Sequence, residues 1–378
     1  MTLVATYREN CLPVIFADMM ITARSNDIYP ASFPAVRRDT KLDYSKIPHN
    51  FNAHRKIFQI NQNIIVGWSG NYASAKAVYM DMVSYFRENE TCHEALEIFF
   101  KGQKNYCKGN TTVSMTGWII GEDQVRNFCW HSSTYYLMAW EEEKFVIGSG
   151  AVAFEKYYGV PTLNEWNDSS GKLVTAQASI LGKLGNFYLD TQTNSDGYLN
   201  GYGVGYEAFY LDDSNAADIS FRPLDNYSII FMPAAEYERG AYRIFFPNDV
   251  VKIQYVSGLP TIVRIHIPNA TIEAKGGNKI IETFVVTDFA TEVLPEISKE
   301  TVYKILSDPG HMVYIGNLDV HDCDTMMLYS NSILAMAGTF PLGYSVDEDI
   351  VSFHVDKQAL ETYMMKMFIE LSKQARDE

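Results

Sequence analysis

Cysteine is scarce and scattered in this chain. Its five residues, Cys11, Cys92, Cys107, Cys129 and Cys323, are spread over 378 positions and form no C-x-x-C pair. This spacing excludes a disulfide framework of the small secreted kind and a cysteine-based zinc site. Basic charge is also short, since 31 Lys and Arg against 46 Asp and Glu leave a formal net charge of -15. A phosphate-binding face needs clustered Lys and Arg, so nucleic acid is not an expected partner. No apolar run approaches the ~20 residues that a membrane-spanning helix requires. The opening MTLVATYREN reaches charge before it can build the apolar segment of a signal peptide. No membrane partner and a cytoplasmic location are the expectations. Internal repeats and low-complexity segments are lacking too.

What is present is core material: 47% of residues are hydrophobic and 13% aromatic, enough for one large domain plus a smaller one. Residues 2–7 and 12–17 alternate like two short strands of a hairpin, in which Cys11 is expected as a small buried residue. Residues 23–55 are rich in Pro, Asn, Arg and Asp without periodicity and read as an irregular excursion. Strand character returns at Ile57 and runs through Val66. Asn71 then caps a helix with Ala75, Val78, Tyr79, Met82 and Phe86 on one face. A second helical pattern covers about 92–105, followed by two strand-like runs around Gly121-Glu122-Asp123-Gln124. The segment KFVIGSGAVAFEKYY passes from strand through Gly148-Ser149-Gly150 into a helix. Beyond about residue 235 short strand-like pieces separated by Pro, Asn and Gly suggest a separate β-rich domain. That domain, residues 236–378, closes on an amphipathic helix over 356–375. The stretch GYLNGYGVGYEAF lacks the Gly-Lys-Ser/Thr ending of a phosphate loop and reads as a loop leading into a strand. His321-Asp322-Cys323-Asp324 has no further ligands spaced to complete a metal site and reads as a solvated turn.

The chemistry of the chain centres on its second residue. Removal of the initiator methionine is expected when a small residue follows, and here Thr2 follows Met1. A mature N-terminal threonine carries a hydroxyl and a free α-amine that titrates at about 7.7–8.0, a nucleophile and a general base on one residue. Asp18 follows the second strand and Lys56 opens the third strand-like run. A lysine beside the hydroxyl favours its ionisation, and a carboxylate holds the ammonium in place. Gly70 ends that run just before a helix, where its N–H can point at a developing oxyanion.

The opening TLVATYRENCLPVIFADMMITA, the run KIFQINQNIIVGWSGNYASA and FVIGSGAVA resemble the proteasome β-subunit and HslV peptidases, members of the N-terminal nucleophile (Ntn) hydrolases. The resemblance covers roughly residues 2–210. It implies an α+β fold, a four-layer αββα domain over residues 1–235 with the β-rich domain appended. It implies that Thr2 is the nucleophile, Asp18 and Lys56 the charged pair that activates it, and Gly70 the oxyanion-hole amide. Ser149 matches the serine near the nucleophile's amine; the family's later aspartate has no clean match, Asp196 being the best candidate with Asp190 behind it, and neither is followed by serine at the family spacing. Ile21, Thr22, His54, Trp68 and Tyr72 would line or border the substrate pocket; the bulk of Trp68 and Tyr72 makes that pocket narrow or filled. The implied activity is threonine-type peptide-bond hydrolysis through an acyl-enzyme, needing no metal or organic cofactor. Implied partners are a peptide or protein substrate, further copies of the chain in a homo-oligomer such as a ring, and an ATP-driven unfoldase. Two alternatives use the same residues: a non-catalytic subunit serving as a structural or binding element, and a hydrolase of small amides.

Overall fold

The structure is a computed structural model of the 378-residue chain. It describes residues 2–9, 11–23, 50–103, 111–122, 124–133, 138–140, 142–158, 171–193, 203, 205–214, 219–238, 241–244, 249–266, 280–291, 296–308, 310–319, 326–330, 342–347 and 350–355. The chain divides into two compact units. The first is built from Met1–Val160, Trp166–Leu224 and Val286–Val293, and the second from Pro161–Glu165, Asp225–Val285 and Leu294–Glu378. The expected boundary at residues 235 and 236 falls inside one unbroken strand, β13 (Asn226–Glu238), so the chain changes unit earlier.

In the first unit, one five-stranded sheet has the order β10 (Lys144–Ile147), β1 (Val4–Glu9), β2 (Leu12–Asp18), β11 (Tyr206–Asp212), β12 (Ser220–Pro223). The β1–β2 hairpin expected from the alternation is present, in register from Val4 opposite Ala17 to Glu9 opposite Leu12. Cys11 stands at its turn with φ 67° and is exposed, not buried, because the tight turn carries it out of the sheet. A second sheet has the order β5 (Ile57–Asn61), β6 (Ile64–Gly70), β7 (Val113–Ile120), β8 (Val125–His131), β9 (Met138–Trp140). The run from Ile57 to Val66 is thus a hairpin and not one strand. Asn61 makes the turn, its Oδ1 accepting from the N–H groups of Asn63 and Ile64 at 2.9 and 3.0 Å. A two-stranded ribbon pairs β3 (Met20–Ala23) with β4 (Asn50–Ala53).

The two five-stranded sheets are tied to each other by buried polar contacts. The Thr6 and Thr116 hydroxyls meet at 2.9 Å, Thr116 Oγ1 donates onward to the Phe128 carbonyl at 2.8 Å, and Trp118 Nε1 donates to the Val14 carbonyl at 2.9 Å. Helix α1 (Tyr72–Glu88) begins where Asn71 Oδ1 accepts the Ser74 N–H at 2.9 Å, and it buries Ala75, Val78, Met82 and Phe86. With α2 (His93–Gly102), which contributes Leu96, Phe99 and Phe100, it fills one core against the second sheet. Helix α3 (Ala151–Tyr158) follows the Gly-Ser-Gly element. Helix α4 (Gly171–Thr193) is fixed to the first sheet by Ser179 Oγ, which donates to Glu9 Oε1 at 2.7 Å, and by the Lys183 ammonium on Glu9 Oε2.

The second unit holds a sheet of order β17 (Ile280–Val285), β16 (Leu259–His266), β15 (Asp249–Val256), β13, β18 (His311–Asp319), β19 (Met326–Ser330), with β14 (Ala241–Ile244) also on β13. All its pairs are antiparallel except β13 with β18. Helix α5 (Lys299–Ser307) is capped by Ser298 and buries Val302, Ile305 and Leu306. A ribbon joins β20 (Leu342–Asp347) to β21 (Ile350–Val355). The expected helix over 356–375 and the His321–Asp324 turn lie outside the described residues.

The architecture is therefore mostly antiparallel β-sheet in three main sheets, with five helices among the described residues, and not the four-layer αββα fold implied for the N-terminal part. The physical reason lies in the sequence pattern. Apolar runs of strand length recur from Val4 to Val355, whereas the 3.6-residue period occupies few segments.

Two expectations follow from buried polar groups. Thr116→Val removes the acceptor of the Thr6 hydroxyl and should cost about 1–3 kcal/mol. Thr6→Val combined with Thr116→Val should cost less than the sum of the two, measured as a double-mutant cycle by denaturant unfolding. In the second unit the Lys252 ammonium donates to Asn226 Oδ1, and Asn226 Nδ2 reaches Asp308 Oδ2 at 2.9 Å. Burial pulls the Lys252 amine down to about 7, against the attraction of Asp308 and Asp225. An unfolded lysine titrates near ~10.4, so between these values the unfolded chain holds the extra proton. Stability from this group is present above ~10.4 and lost as pH falls through about 7. Thermal unfolding of Lys252→Met should accordingly show a flatter rise with pH above 7 than the wild type.

Candidate active site

Strand β2 ends on Asp18, a fully buried carboxylate that five donors satisfy. Its Oδ1 accepts the Leu3 N–H at 2.7 Å, the Thr2 hydroxyl at 3.1 Å and the Lys56 ammonium at 2.6 Å. Its Oδ2 accepts the N–H groups of Met20 at 3.0 Å and Gly203 at 3.1 Å. A buried carboxylate must have its lone pairs met by donors, and these five contacts tie the donor segments to one side chain. The Asp18 N–H in turn donates to the Leu3 carbonyl at 3.0 Å, closing the β1 entry onto the end of β2.

Lys56 is also fully buried. Desolvation pulls its ammonium below the ordinary lysine range, opposed by the charge and hydrogen bond of Asp18 and by Glu207. The backbone around it is fixed by the buried Glu207 of β11, whose Oε1 accepts from the N–H groups of Lys56 at 2.9 Å and Ile57 at 3.0 Å. Arg55 Nε reaches Glu207 Oε2 at 3.3 Å. Lys56 is thus positioned twice, by one carboxylate on its backbone and another on its side chain.

The Gly148-Ser149-Gly150 element wraps Thr2 from the other side. The Thr2 N–H donates to Ser149 Oγ at 3.2 Å, and the Gly150 N–H donates to the Thr2 carbonyl at 3.0 Å. Gly148 has φ 95°, and a Cβ on it would fall 2.1 Å from the Thr2 carbonyl oxygen, so only glycine permits this approach.

Thr2, Asp18, Lys56 and Ser149 are therefore gathered in one cluster. Gly70 stands outside this set of hydrogen bonds, at the end of β6 with φ 104°, where an added Cβ would meet the Thr112 carbonyl oxygen at 2.4 Å. Asp196 lies outside the described residues; Asp190 falls within α4. Thr22 sits in β3 opposite Phe51.

Of the expected pocket residues, His54, Trp68 and Tyr72 form an aromatic cluster, and Ile21 packs on the core that contains Trp68. The cluster is occupied. Phe289, on the segment that returns to this unit, has its ring centroid 5.0 Å from His54, 5.4 Å from Trp68 and 5.3 Å from Tyr72. It stacks on Phe58 at 4.6 Å and 15° and lies 5.5 Å from Tyr79. The returning segment is hydrogen-bonded in place: Arg55 N donates to the Thr287 carbonyl at 2.8 Å, and His54 forms a parallel bridge with Thr287.

Sequence reasoning missed Glu207, Gly203 and Phe289. Glu207 carried a signal, an acid inside the apolar strand YEAFYL, and Gly203 sat in a glycine-rich stretch read only as a loop. Phe289 carried none. No family model matches the chain, and no curated protein matches it.

Removing one member of the buried pair leaves the other charge without its counter-ion. Lys56→Met should therefore destabilise the first unit by about 3–5 kcal/mol, read by denaturant unfolding, and an unchanged midpoint would contradict the burial described here.

Proposed function

We propose that the chain is a threonine-type amide-bond hydrolase, resembling the proteasome β-subunit and HslV peptidases, with Thr2 as nucleophile once Met1 is removed. The observation that carries this reading is the convergence of the Thr2 hydroxyl and the Lys56 ammonium on Asp18 Oδ1, at 3.1 and 2.6 Å. With Met1 gone, the nitrogen that now donates to Ser149 Oγ becomes an α-amine on the same residue as the hydroxyl.

In the proposed reaction Thr2 Oγ attacks the substrate carbonyl carbon while its proton passes through a water to the α-amine. The nearby Lys56 charge favours the ionised oxygen, and Asp18 keeps that charge at the site. Collapse of the tetrahedral intermediate breaks the C–N bond, and the leaving amine takes the proton. Water then hydrolyses the ester and frees Thr2. Gly70 remains the candidate oxyanion donor by resemblance.

A second reading, a non-catalytic structural or binding element, is favoured by one observation: the aromatic cluster expected to receive substrate is filled by Phe289.

The test is intact mass before and after exposure to a peptide epoxyketone, which forms a stable ring only with a free amine and hydroxyl on one residue. Loss of methionine and a single adduct, absent in Thr2→Ala, are expected. Retained methionine without adduct would sink the peptidase reading and leave the second.

A further inference from the structure

His54 is 3% exposed, and its Nδ1 is engaged at 2.7 Å with the Arg55 carbonyl, which assigns the ring proton to that nitrogen. Its Nε2 is then an acceptor. It is buried and has no hydrogen-bond partner among the described residues. The neighbouring indole N–H of Trp68 is itself spent on the Arg55 carbonyl, at 3.3 Å. A buried acceptor without a donor costs free energy, and such groups in native proteins call for an explanation. The occupant of the cluster offers none, because phenylalanine has no polar atom.

Phe289 also differs in provenance from the rings around it. His54, Phe58, Trp68, Tyr72 and Tyr79 come from one continuous stretch, 54–79, which builds the β5–β6 hairpin and the start of α1. Phe289 arrives on the short segment Val286–Val293, bounded on both sides by chain belonging to the other unit. Within that segment Asp288 bonds locally, to Thr291 Oγ1 at 2.6 Å and to the Ala290 N–H at 3.0 Å, so the turn presenting Phe289 is held by its own residues.

We propose that these five residues form a binding pocket for an aromatic side chain bearing a hydrogen-bond donor, a phenol or an indole, and that Phe289 is its internal occupant, held in place of such a ligand. His54 Nε2 is the acceptor that distinguishes a donor-bearing ring from a plain one. Trp68 and Lys56 are neighbours through the main chain, the Trp68 backbone N–H donating to the Lys56 carbonyl at 3.1 Å. This deepens the proposed function by naming the side chain that a substrate would present, and rests on it for the word substrate only. Binding at the pocket stands independently.

The experiment uses the full chain carrying Thr2→Ala, so that the nucleophile plays no part. Phe289→Ala opens an apolar cavity of the kind that admits small aromatic molecules. Titration calorimetry with p-cresol and with toluene is compared for Phe289→Ala and for Phe289 intact. Saturable p-cresol binding is expected in the variant, at least about tenfold tighter than in the parent, which is ~1.4 kcal/mol. Toluene should bind about 2- to 10-fold more weakly than p-cresol, the range one net hydrogen bond gives. If Phe289→Ala does not fold, Phe289→Leu retains apolar burial while vacating ring volume and serves for the same comparison. A folded variant with no gain in affinity for either ligand overturns the pocket, and equal affinity for the two overturns the role of His54. Failure of the epoxyketone reaction with success here would remove the hydrolase while leaving the pocket.

Discussion

The first unit depends on satisfying one buried carboxylate. Asp18 is fully buried, and the five donors that satisfy it come from four places in the chain: the N-terminal strand entry, β3, the residue just before β5 and the approach to β11. Each of these segments is fixed by the same atom pair. A change that moves one of them leaves part of an anion unsolvated, which makes the arrangement cooperative. The cost of bringing Lys56 out of water is the other side of this constraint, visible in the depressed affinity of its amine for a proton.

Glu207 extends the constraint to the adjacent strand. Tyr206 pairs with Asp18 and Glu207 with Ala17, so the two buried acids sit one register step apart on neighbouring strands. One holds the Lys56 side chain and the other its backbone, leaving the ammonium little freedom. Positioning of this kind, in which the orienting groups are themselves locked, is what a reacting centre needs and a surface salt bridge lacks. The Gly-Ser-Gly element adds the third side, clasping both the nitrogen and the carbonyl of Thr2.

The aromatic pocket shows a different economy. Its walls are local in sequence and its occupant is not, so occupancy is controlled by a segment whose neighbours in the chain belong elsewhere. A pocket closed by the chain's own side chain binds a competitor with an affinity reduced by the fraction of time it is closed.

Much of the candidate site was legible because it is encoded in local pattern and in residue type. Thr2, Asp18, Lys56 and Ser149 were read as a constellation and meet in space; the Asn71 cap, the first hairpin and the strand-turn-helix around Gly148 follow from short-range preferences. Gly70 was read as a donor to the same centre and lies outside its hydrogen bonds, since its strand-end position fixes φ without fixing where its N–H is used. The four-layer fold, implied by the resemblance of a few local motifs, is not the one observed, because such motifs report single segments and not how many sheets the strands make or which distant strand completes them. Glu207, Gly203 and Phe289 reach the site across more than a hundred residues, and no spacing rule connects them to it. The sequence by itself determined the chemical groups and their local elements. Only the tertiary structure decided which buried acid holds which donor and what fills the pocket, because burial of charge and of rings is settled by contacts between segments that carry no common period.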